Sequence, residues 1–97
     1  MSSLLTITFT SDVIYWRGPS PFYFVIVPTE HVSELKEIVP KLSFGWGMLP
    51  AVCKSQGVEF YTALFPKEGT YYLPLRKDVR EKLNIELGDR IKVTAIF

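Results

Sequence analysis

Turn-forming residues punctuate this chain about every eight to twelve positions, and that spacing constrains its fold more than any other feature. Gly18-Pro-Ser-Pro21, Ser55-Gln-Gly57, Pro66-Lys-Glu-Gly69 and Gly88-Asp89 are the clearest breaks. Only short elements fit between them. Such regular punctuation marks an all-β sandwich or barrel rather than a helical bundle.

The segments between the turns carry a two-residue hydrophobic period, as strands do. From Leu4 to Thr10, Leu5, Ile7 and Phe9 point one way and Thr6, Thr8 and Thr10 the other. Val58, Phe60, Thr62 and Leu64 alternate with Glu59, Tyr61, Ala63 and Phe65. Ile91, Val93, Ala95 and Phe97 alternate with Arg90, Lys92 and Thr94. Phe22 to Val27 is apolar at every position, which predicts a strand covered on both faces. Shorter strands are expected over Ala51–Lys54 and Thr70–Leu75. Ser55-Gln-Gly57 reads as a tight hairpin turn. Pro74 confines its strand to a sheet edge or to a strand end, because proline cannot donate to a ladder.

Two segments switch to helical spacing. After Pro28, with Thr29 as a capping candidate, Val32, Leu35, Ile38 and Val39 recur at helical intervals, and Glu30 and Glu34 lie in the early turns. Pro40 is expected to stop that helix. Arg76 to Asn84 reads as a second short helix: Leu75, Val79 and Leu83 are spaced four apart, and Asn84 suits the left-handed C-terminal position.

The sum is one domain over residues 1–97 with six strands and two short helices. A sheet this rich in Val, Ile and aromatics would aggregate through open edges, so closure into a barrel is expected. With 47% hydrophobic residues the chain is too apolar for disorder. No apolar run reaches the roughly 18 residues a membrane helix needs. The first residues lack a basic stretch followed by an apolar one, so no signal peptide is read. Cys53 is the single cysteine, which excludes an internal disulfide and fits a reducing, cytoplasmic compartment. A net charge of +1 gives no general attraction to phosphate.

Phe44-Gly-Trp-Gly, Val58-Glu-Phe-Tyr-Thr-Ala-Leu-Phe-Pro66, Gly69-Thr-Tyr-Tyr-Leu-Pro-Leu-Arg-Lys77, Val79-Arg80 and Gly88-Asp-Arg-Ile-Lys-Val93 together resemble the bacterial domain of unknown function 1905. The resemblance extends over nearly the whole chain. It implies a small closed β-barrel of the double-split type and no particular activity. Ala63 stands where that family usually has a Ser or Thr after Thr62. Leu73 to Val93 is also similar to the swapped-hairpin DNA-binding domains of transition-state regulators, through a strand, a capped helix and a Gly-Asp turn.

Candidate functional residues fall into three groups. Arg76, Lys77 and Arg80 cluster at the start of the second helix. Arg76 and Arg80 are four apart and share a face, where backbone donors and the positive helix end favour an anion. A solvated helix face balanced by Asp78 and Glu81 accounts for the same charges. Trp46, Tyr61, Phe65, Tyr71 and Tyr72 are the aromatics available to wall a ligand pocket; ordinary core packing is their other use. Trp46 stands apart, because its flanking glycines give a permissive loop with an exposed indole. The third group is His31 with Cys53. A lone His and a lone Cys fall short of the four ligands of structural zinc, and a nucleophilic thiol needs an activating base that a third group orients. The pairs Glu34 with Glu37 and Glu86 with Asp89 have the look of ordinary surface acids, and no phosphate-binding glycine motif occurs.

The expectation is therefore a binding module without catalytic residues, metal or cofactor. It takes a small anionic or aromatic ligand, or a short peptide, in a cleft by the barrel mouth. Trp46 and Tyr61 supply stacking area, and Arg76, Lys77 and Arg80 hold the anionic group. Two alternatives are a nucleic-acid-binding domain using the basic helix and a protein-interaction domain pairing through the edge near Pro74.

Overall fold

The computed structural model describes residues 4–16, 22–42 and 47–97. Its elements run β1 (Thr6–Trp16), β2 (Phe22–Ile26), a 3-10 turn (Thr29–His31), α1 (Val32–Leu42), β3 (Leu49–Ser55), β4 (Val58–Lys67), β5 (Thr70–Leu75), α2 (Lys77–Leu83) and β6 (Arg90–Ile96). The six strands close an antiparallel barrel in the order β1-β2-β5-β4-β3-β6. The architecture is the expected one, mostly β with two short helices.

Closure depends on two strands that change partners along their length. β1 pairs with β6 from Thr6 to Asp12, then with β2 from Val13 to Trp16. β4 pairs with β3 from Val58 to Leu64, then with β5 from Phe65 to Lys67. The barrel is thus two four-stranded sheets that share β1 and β4. β1 is longer than the alternation from Leu4 to Thr10 suggests, and takes in Ser11 and Asp12. In the fold they pair with Ile91 and Arg90, and the Arg90 guanidinium donates to Asp12 Oδ1 at 3.0 Å.

Two-residue turns join the central hairpins. Gln56 and Gly57 have φ of 49° and 78°, and Glu68 and Gly69 have 50° and 79°. Positive φ at both positions gives the turn whose twist matches that of the flanking strands. Pro74 stands at a strand end, as expected: its strand's ladder with β4 stops at Tyr72, while the ladder with β2 carries on through Phe24↔Pro74.

Both helices form, with two differences at α1. Pro28 rather than Thr29 precedes the 3-10 turn, and no side chain caps it. The helix also runs through Pro40 to Leu42. Pro40 gives no N–H to the Lys36 carbonyl, but both residues are exposed, so water can take that place. At the other helix Asn84 ends the run with φ 53°, ψ 47°, and its N–H reaches the Arg80 and Glu81 carbonyls.

The barrel interior is a packed core. Val25, Leu49, Leu64, Leu73 and Val93 are fully buried there, and Leu35 and Ile38 of α1 and Val79 and Leu83 of α2 belong to the same cluster. Any cavity able to admit a ligand therefore has to lie on the outer surface or beside a helix.

Candidate ligand site

The sequence of β2 brings aromatic side chains to both of its faces. Val25 points into the core, while Phe24 packs outside against Phe65 and Tyr72, with ring centroids 5.4 and 5.6 Å away. Phe22, on that same outer face, is 47% exposed. The strand is therefore not covered on both faces along its whole length, and the open stretch lies next to α2.

There, Phe22, Tyr23, Pro74 and Leu75 meet Arg76, Lys77 and Arg80 around a cavity of about 320 Å³. The three basic residues singled out in the sequence thus share one cavity, although each holds its charge differently. Arg76 Nε lies 3.5 Å from Asp78 Oδ1 and Lys77 Nζ 4.0 Å from Glu81 Oε1, both pairs in solvent. Arg80 is half-buried. Its guanidinium stacks on the Tyr23 ring at 3.8 Å, and its Nε donates to the Leu75 carbonyl at 3.3 Å. Tyr23 is itself packed against Tyr15, 5.0 Å away. Among the described residues, the two terminal nitrogens of Arg80 have no acceptor. A guanidinium fixed by its face and its Nε, with its fork unpaired, suits planar two-oxygen anions. At seven residues, α2 is too short for its dipole to matter much, so the side chains carry the charge.

The remaining candidates lie elsewhere. Tyr61 is 63% exposed on β4 and lines a separate cavity of about 310 Å³ with Pro50, Val52, Thr62 and Phe97. Trp46 falls outside the described residues. Tyr71 is a core residue. Tyr72 is buried in the outer aromatic cluster and donates to Glu68 Oε2 at 2.9 Å. Burial, then the Glu68 hydrogen bond and charge, push its hydroxyl above the usual tyrosine range. Phe65 joins Phe22, Phe24, Met48, Lys67 and Pro74 around a third, almost wholly apolar cavity of about 390 Å³.

Thr62 Oγ1 donates to the Pro74 carbonyl at 3.4 Å. His31 lies against Phe9, with ring centroids 6.3 Å apart, and its Nδ1 is 3.6 Å from Glu34 Oε1. Cys53 is fully buried in the core, where desolvation pushes its thiol up to about 12. That is the opposite of an activated nucleophile. Asp89 braces the turn before β6, where its Oδ2 accepts the Glu86 N–H at 2.8 Å. Among the described residues, no three His, Cys, Asp or Glu side chains gather to hold a metal, and no helix is long and apolar enough to cross a membrane.

Sequence reasoning located the cations of this site and missed its apolar floor. Phe22, Tyr23 and Leu75 read as ordinary strand residues. The usable signal was the surplus of aromatics on β2, more than a single buried face requires.

The fold and site together define a small closed antiparallel barrel with a filled interior and a basic, aromatic-floored cavity beside its second helix. The chain belongs to the DUF1905 family, a domain of unknown function, whose model matches residues 9–95. No curated protein matches it in sequence.

Proposed function

We propose that this domain is a binding module for a small organic anion, held in the cavity between β2, β5 and the start of α2. The observation that carries the reading is Arg80, whose guanidinium is braced by Tyr23 and Leu75 while its fork has no protein acceptor among the described residues. A partly desolvated cation pre-set in this way loses little entropy on pairing with a carboxylate. Tyr23, Phe22 and Pro74 give the ligand an apolar wall, the usual composition of small-molecule sites. Arg76 and Lys77, more exposed and already paired with acids, add attraction at the rim. A duplex-binding reading has less support, because those two pairs and the near-neutral chain leave little basic surface for phosphates.

The test is a titration with benzoate, followed by amide chemical shifts and by thermal unfolding. Benzoate at ten times its dissociation constant stabilises the fold by about 1.4 kcal/mol, a rise of about 6 °C for a domain of this size. The shifts are expected at Tyr23, Leu75 and Lys77. Arg80→Gln abolishes the effect and Arg80→Lys weakens it, since an ammonium lacks the two-pronged geometry. Shifts scattered over the surface, or a response that Arg80→Gln leaves intact, rule the reading out.

A further inference from the structure

The cavity at Arg80 and the apolar cavity on the outer face are neighbours, since Phe22 and Pro74 line both. Side by side they make an elongated stretch of surface with very different ends. One end holds Arg76, Lys77 and the unpaired fork of Arg80. The other is walled by Phe24, Phe65 and Met48 and has almost no polar surface. The ammonium of Lys67, at the far rim, sits 5.7 Å from the Tyr72 ring centroid.

We infer that the ligand is an elongated amphipathic monocarboxylate, an aryl-alkanoic or medium-chain fatty acid. Its carboxylate meets Arg80, and its apolar body lies across Phe22 and Pro74 into the face formed by Phe24, Phe65 and Met48. This inference rests on the anion-binding reading above and extends it to a ligand class. Charge complementarity sets the polarity: the guanidinium end gathers three cationic side chains for an acid headgroup, whereas the other end offers a long apolar wall with the single Lys67 ammonium at its rim. Phe22 and Met48, 47% and 37% exposed, are the large apolar side chains such a tail would cover. A short anion held at Arg80 would reach Phe22 and leave Met48 in water. A polyanion would find no second cationic cluster among the described residues lining this stretch.

The experiment is calorimetric titration with benzoate, 4-phenylbutanoate and 8-phenyloctanoate, all below micelle-forming concentrations. Affinity is expected to rise steeply with length, by up to about fourfold for each methylene that is fully buried. Met48→Ala and Phe65→Ala should weaken 8-phenyloctanoate at least fivefold and leave benzoate unchanged. Arg80→Gln should weaken every member of the series. If benzoate binds and lengthening gains nothing, the extended site is wrong and the anion site stands. If 8-phenyloctanoate binds equally well to Arg80→Gln, the acid end is misplaced and the inference falls. If no member of the series binds, both readings fall together.

Discussion

Cys53 illustrates how a single side chain couples to the pH response of the fold. Its thiol is buried and pushed up to about 12 from a usual value of 9.0, so the native state resists forming the thiolate. A raised acid pKa contributes stability that is complete below the unfolded value and is lost as pH climbs toward the folded one. Above pH 9 unfolding therefore becomes progressively easier as pH rises toward the folded value. Burial of the Tyr71 and Tyr72 hydroxyls adds to the loss, with the same sign, above pH 10. Urea unfolding measured across this range should show the decline, and Cys53→Ala should flatten its first part whatever it does to stability at pH 7. The native thiol should also ignore iodoacetamide until denaturant is added. The role of Cys53 as a small hydrophobe was legible in the sequence, because it sits in a strand pattern with no partner for chemistry. The exposure of Phe22 was not. Whether an outward aromatic is covered depends on Phe65 and Tyr72, which lie more than forty residues away in the chain.

At the scale of elements, local signals succeeded where local chemistry decides the conformation. Gln56-Gly57 turns tightly because glycine accepts positive φ, and α2 ends at Asn84 because asparagine tolerates the left-handed region. The same physics makes these turns sensitive. Gly57→Ala places a side chain at φ 78° and should cost about 1 kcal/mol, although open space surrounds the new methyl. Gln56→Asn should raise the melting temperature by a degree or two, since asparagine favours the conformation that Gln56 already holds. Differential scanning calorimetry of the two variants would check both signs. Local signals failed where pairing overrides them. Alternation stops at Thr10, yet Ser11 and Asp12 lie in mid-strand, where the β1–β6 ladder closes and pairing with β2 takes over. Pro40 looks like a stop and is tolerated on the wet side of α1. The basic residues of the candidate site were legible from their spacing on one short helix, whereas the floor they stand over is supplied by β2 and β5.

For the molecule as a whole, stability comes from one core that both sheets and both helices share. Leu73, fully buried on β5, should cost about 3 kcal/mol when truncated to Ala. Tyr61→Ala, on the exposed face of β4, should stay within about 0.5 kcal/mol of the parent. Barrel closure also has a consequence in time. Thr8 and Thr94 share a hydrogen bond across a sequence separation of 86 residues, at the seam where β1 meets β6. The β3–β4–β5 meander, by contrast, is stitched by two-residue turns and can assemble locally. A chain must give up most of its conformational freedom before that seam rewards it, so folding should take milliseconds to seconds rather than microseconds. Stopped-flow refolding of variants should then find the meander already formed at the barrier and the β1–β6 seam still open, leaving the last-zipped pair of strands as the first to part when the protein is pulled or heated.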